Sequence, residues 1–456
     1  MYIWKYGSEI ISIWDYVLII IYIIILYFFL LLYRSIKKHD NIVRKYLISG
    51  ITFKIAGGLF FSLFYVYYYG EGDNTNYFQS SLILLNTFNV DIFKFFSILL
   101  GNLTSENYSV FSSETGYPLY WHDRFAFSII RISSIFSFFG FKLYLPTSFL
   151  ASTFTFFGQW KVFKLLCSLY PNNTKSLAFC FLFIPSVAFW GSGLYKDSFT
   201  FMASCLLFYS FYNIFILRKR TLTQIFYILF SIYLLIQIKP YILYCELFGI
   251  FVFIIYYNLS IFKNKVIRYF LLPIITILSF LVGTYFLLRL GEKIGGHYRS
   301  IDMTLKMMKE IQKDLKNKEY YGLNSYDIGD FEPTIPGILK KFPIATITGL
   351  YRPFLWDVRK PIVFISALEN TIFLLITLYS IATILKSIFY HDLSYIIKTI
   401  FNPYIIFSII FSITLSFFIG LTAANFGALV RYKIPYIPFF YSSLFMIFNN
   451  LKLMKK

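Results

Sequence analysis

The chain has 456 residues, of which 58% are hydrophobic and only 14% are charged, and it carries a formal net charge of +20 at pH 7. An average soluble domain has roughly 25% charged residues, so this composition excludes an ordinary soluble protein and predicts a membrane protein. The Lys and Arg residues lie mostly in short loops between apolar runs, where they set orientation and meet anionic headgroups, so we do not expect nucleic acid as a partner.

Apolar runs of membrane-spanning length recur along the chain. A helix of about 17 to 25 residues crosses a hydrocarbon core of roughly 30 Å, and the runs lack the alternation of a membrane barrel. We therefore predict an all-α fold, a polytopic transmembrane helical bundle of about eleven spans, within a range of about 11 to 13, with interfacial helices on the outer face. The predicted spans, with ends good to about four residues, are 14–33, 49–69, 145–166, 176–192, 198–217, 222–238, 241–258, 268–288, 361–385, 402–420 and 434–449.

Two regions interrupt the series of spans. The half-apolar region 81–140 is predicted to contain re-entrant or interfacial helices. The chain is also predicted to cross the membrane an even number of times within this region, so that the later loops keep their side. In the second region apolar residues recur at steps of three and four: Ile301, Leu305, Met308, Ile311 and Leu315. That spacing predicts an amphipathic helix over 301–318, on the outer membrane face or over a cavity. The predicted parts are the N-terminal spans (1–288), an extracytoplasmic loop (289–360) and the C-terminal spans (361–456).

Short basic loops set the predicted orientation. They follow alternate spans, from "RSIKKHDNIVRK" after the first span to "KLMKK" at the end of the chain. By the positive-inside rule these loops are cytoplasmic, so the N-terminus is predicted outside and the C-terminus in the cytoplasm. The longer segment 289–360 is also basic, but loops beyond about 60 residues are translocated largely regardless of charge.

With this orientation, five polar loops are predicted to converge at the outer membrane face. They contain "GEGDNTNYF", "GLYKDS", the stretch at 237–240, "LYRPFLWDVRKP" and "GLTAANFGALVRYKIPYIP". The polar residues of this outer set are Asp73, Arg124, Arg131, Lys196, Asp197, Lys239, Arg352, Asp357, Glu369, Asn425, Arg431 and Lys433.

Simpler interpretations of these residues stay open. Asp197 is compatible with a helix cap in a solvated turn, Arg352 with an interfacial anchor, and Asp73 with an ordinary loop carboxylate. Against them, Lys196 and Arg431 break the positive-inside trend for a short outer loop.

Carboxylates inside predicted spans are harder to assign to a structural role. Glu369 and Glu246 lie within apolar runs, where an ionisable residue is expensive and by default faces a cavity or a partner. The outer set has seven cations and four carboxylates. Such a set suits an anionic substrate, the planar fork of arginine suits phosphate, and a carboxylate remains to accept a proton from a hydroxyl.

No metal or cofactor site is predicted. The four cysteines fall inside apolar runs without metal-ligand spacing, and the four histidines are scattered and never paired four residues apart. We expect the cysteines to be small core residues.

Several of these motifs resemble one known class of membrane protein. An Asp after an early span, "FWGSGLYKDS" in the middle, "YRPFLWD" before a late span and "RYKIPYIPFF" at the last span are similar to motifs of Wzy-type O-antigen and capsule polymerases and of the related C-type glycosyltransferases that use polyprenyl-phosphate-linked sugars. The resemblance extends over most of the chain as an order of features, although each motif is short.

The resemblance implies an enzyme of the bacterial cytoplasmic membrane. It would join undecaprenyl-diphosphate-linked glycan units, in contact with membrane lipid and other polysaccharide-assembly proteins, and we favour a metal-independent reaction. The resemblance implies diphosphate binding by Lys196, Arg352 and Arg431, and positioning or deprotonation of the acceptor by Asp197 or Asp73. Together with other residues of the outer set, the predicted diphosphate- or sugar-binding residues are Arg131, Lys196, Lys239, Arg352, Asn425 and Arg431, and the predicted catalytic carboxylates are Asp73, Asp197 and Glu369. The alternative is a flippase for lipid-linked oligosaccharide, whose charged residues should line a path through the bundle.

Overall fold

The structure is a computed structural model that describes residues 10–259, 274, 278, 299–317, 324–359, 361–390 and 393–453. Its regular elements in these ranges are helices. The first half holds α1 (Ile13–Ile36), α2 (Asn41–Phe64), α3 (Asp73–Thr87), α4 (Ile92–Leu100), α5 (Ser105–Tyr108), α6 (Arg124–Phe139), α7 (Tyr144–Leu169), α8 (Thr174–Ala178), α9 (Pro185–Trp190), α10 (Lys196–Phe211), α11 (Leu222–Ile238) and α12 (Pro240–Leu259). The second half holds α13 (Ile301–Leu315), α14 (Ile335–Lys340), α15 (Phe342–Tyr351), α16 (Pro361–Tyr390), α17 (Leu393–Ile400), α18 (Pro403–Thr422), α19 (Phe426–Tyr432) and α20 (Ile437–Leu453).

Six helices in the described residues are long and apolar enough to cross a membrane. They are Ile13–Ile36, Asn41–Tyr69, Lys196–Ile216, Pro240–Tyr257, Val363–Phe389 and Pro403–Thr422. The helices α6 and α7 pass the same test together, but they meet at 109°, as in a broken span or a re-entrant loop, and raise the number of candidate spans to seven. The chain is therefore a helical protein of membrane type, as the hydropathy predicted.

The other predicted spans differ from the structure for identifiable reasons. The segment of the predicted span 176–192 is not one continuous helix, because Ile184 is extended before Pro185 and divides it. A residue that precedes proline is biased away from helical geometry. The helices at 222–238 and 434–449 exist as α11 and α20, but each has only 17 residues. The predicted span 268–288 lies outside the described residues.

Region 81–140 contains short helices. A turn divides the apolar stretch 81–100 between α3 and α4, because the side chain of Asp91 accepts a hydrogen bond from the amide of Lys94 at 3.0 Å and caps α4. Between α6 and α7 the residues Phe141 and Lys142 have left-handed φ angles of 52° and 59°. This reversal produces the sharp bend between the two helices.

The described helices group into two compact units, of which the first comprises 1–169, 181–206 and 229–240. In this unit α2 packs on α7 and α9, and α3 packs on α6. A Cβ atom added at Gly57 would lie 2.2 Å from the carbonyl oxygen of Ala188, and one at Gly58 would lie 2.1 Å from Ser152 Oγ. Glycine therefore allows the close approach of α2, a common basis for helix association where lipid removes the hydrophobic drive.

The second unit comprises 170–180, 207–228 and 241–456. Its most extensive helix pair is α15 on α18, where a Cβ atom added at Gly420 would lie 1.9 Å from the carbonyl oxygen of Ala345. Its core includes stacked rings of Phe208 and Phe407, whose centroids are 4.4 Å apart. The described residues of the predicted loop 289–360 fall within this unit.

The amphipathic helix predicted over 301–318 is present as α13, with Leu305 and Met308 buried. It is followed by residues 324–334, which we call the strap. The ammonium of Lys316 at the end of α13 lies 2.7 Å from Asp327 and 2.8 Å from Asp330, both in the strap. The amide of Tyr326 donates to the carbonyl oxygen of Ala424 at 2.8 Å. The first half of the strap is thus tied to the start of α19 through Tyr326 and to the end of α13 through Asp327 and Asp330.

Candidate functional site

In the first unit, the loop between α9 and α10 is buried although it is not helical. Residues 191–195 are all buried, and Gly193 has a left-handed φ of 72°. The ammonium of Lys54, in α2, donates to the carbonyl oxygen of Gly191, and the amide of Gly193 donates to Ser152 Oγ at 2.8 Å. Irregular backbone inside a membrane protein requires such partners, so these side chains hold the loop in one shape.

This loop places Lys196 and Asp197 in the first turn of α10. Asp197 is fully buried, and its Oδ1 lies 2.5 Å from Nζ of Lys239, whose side chain is 8% exposed. Its Oδ2 has no hydrogen-bond partner in the described part of the chain. Asp197 is therefore the countercharge of Lys239 and does not cap its own helix.

Asp73 occupies the first position of α3, and two tyrosine hydroxyls bind its carboxylate. Tyr195 donates to Oδ2 at 2.9 Å, and Tyr120 donates to Oδ1 at 3.2 Å. Asp73 itself is only half-buried. Burial, followed by the charge of Asp73, raises the pKa of Tyr120 to about 12, so this phenol is protonated and remains a donor at neutral pH.

Lys196 lies beside a third tyrosine, Tyr77, which contacts these two. Its ammonium is 5.9 Å from the ring centroid of Tyr77, and that ring contacts both Tyr120 and Tyr195 at centroid distances of 5.5 and 6.4 Å. Lys196 forms no salt bridge with any described residue, although the charges of Asp73, Asp123, Asp197 and Lys239 act on it. We call Asp73, Tyr77, Tyr120, Tyr195 and Lys196 the tyrosine–aspartate site.

Arg131 has a different environment in this unit. The guanidinium donates from Nε to the carbonyl oxygen of Leu99 at 2.8 Å and from Nη2 to the hydroxyl of Tyr233 at 2.9 Å. The residue is buried. These hydrogen bonds join α6 to the end of α4 and to α11. Arg131 therefore connects helices and has a structural role.

In the second unit, Arg352 is paired with Asp357. The contact is bidentate, with Nε 3.0 Å from Oδ2 and Nη2 2.9 Å from Oδ1. Asp357 Oδ2 also accepts the amide of Phe354 at 3.0 Å. A bidentate arginine–carboxylate pair is one of the stronger hydrogen-bonded pairs, and here it closes the turn that leads toward α16.

Aromatic rings cover the guanidinium of Arg352. It lies 4.9 Å from the ring centroid of Tyr326 and 5.8 Å from that of Phe426, and those two rings are stacked at 4.8 Å. The neighbouring Asn425 caps α19, because its Oδ1 accepts the amide of Gly427 at 2.8 Å. The predicted sugar- or diphosphate-binding residues Arg352 and Asn425 are thus close in space, and both make contacts within the protein.

Lys433 is buried and donates to the carbonyl oxygens of Leu350 at 3.2 Å and Arg352 at 2.5 Å. Burial lowers the pKa of this ammonium, while the charge of Glu369 opposes the shift. Arg431 lies in the last turn of α19 and is half-buried, as is Glu369 in α16. Asp357, Asn425 and Lys433 therefore lie near Arg352, and we call these four residues the arginine cluster.

The residues of the five predicted loops thus form one cluster in each compact unit. Within the described ranges, no group of three or more His, Cys, Asp or Glu residues could hold a metal ion. All four cysteines are buried, as expected. The tyrosine–aspartate site combines a half-exposed carboxylate, which can accept a proton, with an ammonium that can bind an anion.

Sequence reasoning did not identify Lys54, Tyr77, Tyr120, Tyr195 or Tyr326. Lys54 carried a usable signal, because it is an ionisable residue inside the predicted span 49–69. The tyrosines carried none, since the chain has 40 of them.

Comparisons with protein-family models, curated proteins and solved structures gave no match for this chain. The fold and the two clusters define a helical protein of membrane type with buried polar contacts.

Proposed function

We propose that this protein is an integral membrane glycosyltransferase of the polymerase type. It joins undecaprenyl-diphosphate-linked oligosaccharide units at the outer face of the bacterial cytoplasmic membrane during surface polysaccharide biosynthesis. The observation that carries the proposal is the tyrosine–aspartate site. The half-exposed Asp73 accepts hydrogen bonds from Tyr195 and Tyr120, and the ring of Tyr77, which contacts both of them, carries the ammonium of Lys196, which has no salt-bridge partner among the described residues.

The proposed topology has about eleven spans, with the N-terminus outside and the C-terminus in the cytoplasm. Six helices and the bent pair of α6 and α7 supply up to seven of them. The helices α11 and α20 have 17 residues each, which at 1.5 Å per residue gives about 26 Å, close to a typical hydrocarbon thickness. The broken segment around Pro185 and the predicted span 268–288 account for the remaining two spans. The amphipathic α13 lies on the outer face in this arrangement.

The reaction needs one proton acceptor and one site for a leaving diphosphate. The acceptor sugar hydroxyl attacks the anomeric carbon of the donor, a new glycosidic C–O bond forms, and the bond from that carbon to the phosphate oxygen breaks. Asp73 accepts the hydroxyl proton, and Lys196 stabilises the charge on the departing lipid diphosphate. A fixed cation can stabilise this leaving group, so the proposed step is metal-independent.

Purified protein in liposomes with a lipid-linked oligosaccharide tests the proposal, with products separated on a gel. We expect wild-type protein to make polymer, and Asp73→Asn and Lys196→Met to make about a hundredfold less. Matched controls are Glu114→Gln and Lys45→Met, which change an exposed carboxylate and an exposed ammonium of the same unit. The predicted anion-binding role of Arg431 is tested by Arg431→Ala, which should also stop polymer formation.

Cells that lack the protein distinguish polymerase from flippase. Single lipid-linked units displayed on the outer leaflet support a polymerase. Units retained on the cytoplasmic side support the flippase. Wild-type polymer output from both Asp73→Asn and Lys196→Met overturns the assignment of the reaction to the tyrosine–aspartate site.

A further inference from the structure

We infer that Tyr195 and Tyr120 are positioning residues that orient the carboxylate of Asp73 for proton acceptance. The inference rests on the proposed function, in which Asp73 accepts the proton of a sugar hydroxyl. It adds to that function two residues that hold Asp73 in place. Neither tyrosine belongs to the polar residues that the sequence singles out.

The first ground is that each oxygen of Asp73 has its own phenol donor. Tyr195 approaches Oδ2 and Tyr120 approaches Oδ1, at 2.9 and 3.2 Å. A carboxylate at the start of a helix can rotate about its side-chain bonds, and two donors on different oxygens remove that freedom. Orientation of this kind is worth a large factor in rate, because a proton acceptor must lie within hydrogen-bond reach of the proton that it takes.

The second ground is that the protein holds both donors rigidly. Tyr195 is 3% exposed and belongs to the buried loop that Lys54 and Ser152 fix through Gly191 and Gly193. Tyr120 has a left-handed φ of 61°, which non-glycine residues rarely adopt. Backbone strain of this kind persists where the surrounding structure dictates it and is concentrated at functional sites.

The third ground is that the same tyrosines relate Asp73 to Lys196. The ring of Tyr77 contacts Tyr120 and Tyr195 on one side and carries the ammonium of Lys196 at 5.9 Å from its centroid. The aromatic group therefore sets the separation between the proton acceptor and the cation. A hydroxyl and a diphosphate on two substrates need such a fixed separation to react with each other.

The test compares Tyr195→Phe, Tyr120→Phe and the control Tyr117→Phe, which removes an exposed hydroxyl from the same loop as Tyr120. Phenylalanine keeps the ring and its packing, so we expect folded protein in every case. In the liposome assay we expect kcat to fall about tenfold or more for Tyr195→Phe and less for Tyr120→Phe, whose bond is longer, while KM stays within about twofold. Tyr117→Phe should match wild type.

A double-mutant cycle with Asp73→Asn separates positioning from general packing. If the hydroxyl acts through Asp73, Tyr195→Phe adds less than about a twofold loss in the Asp73→Asn background. A merely structural tyrosine would lower kcat by the same factor in both backgrounds, and that result overturns the inference while leaving the proposed function intact.

A second cycle requires no activity. The loss of thermal stability caused by Tyr195→Phe should be larger when Asp73 is present than in Asp73→Asn protein. Equal losses in the two backgrounds overturn the inference. This measurement remains decisive even if polymer formation, and with it the proposed function, is not observed.

Discussion

Removal of one partner of the buried Asp197–Lys239 ion pair should destabilise the protein strongly. The two side chains are 0% and 8% exposed, and their charged atoms are 2.5 Å apart. Loss of one partner of a buried pair typically costs about 3–5 kcal/mol, because it leaves the other charge buried without compensation. We therefore expect Lys239→Met to lower the midpoint of thermal unfolding by several degrees.

The double variant Asp197→Asn with Lys239→Met should be more stable than Lys239→Met alone, because it removes both charges together. The assay heats purified protein in detergent and measures the fraction that stays monodisperse by size-exclusion chromatography. A protein of this size is not expected to unfold in two states, so the variants are compared by the order of their unfolding midpoints and not by free energies of unfolding.

Lys316→Met provides the matched control, since Lys316 contacts Asp330, whose side chain is 84% exposed. An exposed pair contributes at most about 1 kcal/mol, so this control should unfold close to wild type. The reasoning is refuted if Lys239→Met has the same unfolding midpoint as the control, or if the double variant is no more stable than Lys239→Met.

Three further changes have defined outcomes. The Lys316 hydrogen bond is the main cause that holds the pKa of Asp327 below its ordinary value of 3.8, so the contact is present above pH 3.8 and is lost as the pH falls through the lowered pKa. The protection of strap amides from hydrogen exchange, relative to an unfolded peptide at the same pH, should then fall, and Lys316→Met should remove that pH dependence. Gly420→Ala should reduce the yield of folded protein, because its Cβ would lie 1.9 Å from the carbonyl oxygen of Ala345, and fluorescence-detected chromatography measures that yield. Lys54→Met should cost about 1–3 kcal/mol by leaving a buried loop carbonyl unpaired, seen as a lower thermal midpoint; unchanged stability would contradict that role.

Hydropathy alone could predict the long helices. Six predicted spans, at 14–33, 49–69, 198–217, 241–258, 361–385 and 402–420, each overlap a helix that passes the length and hydropathy criteria. Breaks inside apolar runs were harder to predict. A window that averages hydropathy over 176–192 takes no account of backbone geometry, although Pro185 was visible in the sequence.

Sequence could also place individual polar residues at helix ends, but not their partners. Asp73 and Lys196 were both selected because they follow or precede apolar runs. The donors to Asp73 lie 47 and 122 positions away in the chain, at Tyr120 and Tyr195. Contacts over such separations depend on how α3, α6 and α10 are arranged, and a tyrosine has no unusual cost in an apolar run that would make it stand out.

Charge compensation changes which cations are suited to bind an anion. From the sequence alone every cation of the outer set is available to an anion, but in the structure Lys239 is bound to Asp197, Arg352 to Asp357, and Arg131 to a carbonyl and a phenol. A phosphate at Arg352 would have to displace a carboxylate that already fills the same fork in bidentate geometry. The bond between Arg352 and Asp357 therefore favours a role in fixing the turn before α16.

Lys196 differs from these cations in three respects. It is half-buried, it has no salt-bridge partner in the described part of the chain, and it lies in the first turn of the 16-residue helix α10, where the helix dipole also attracts negative charge. The ion pair between Asp197 and Lys239 neutralises the next charge along the helix, so the ammonium of Lys196 is not cancelled by its own neighbour. An anionic group that enters the first unit would consequently meet Lys196 with Asp73 close by, the arrangement that the proposed transfer requires.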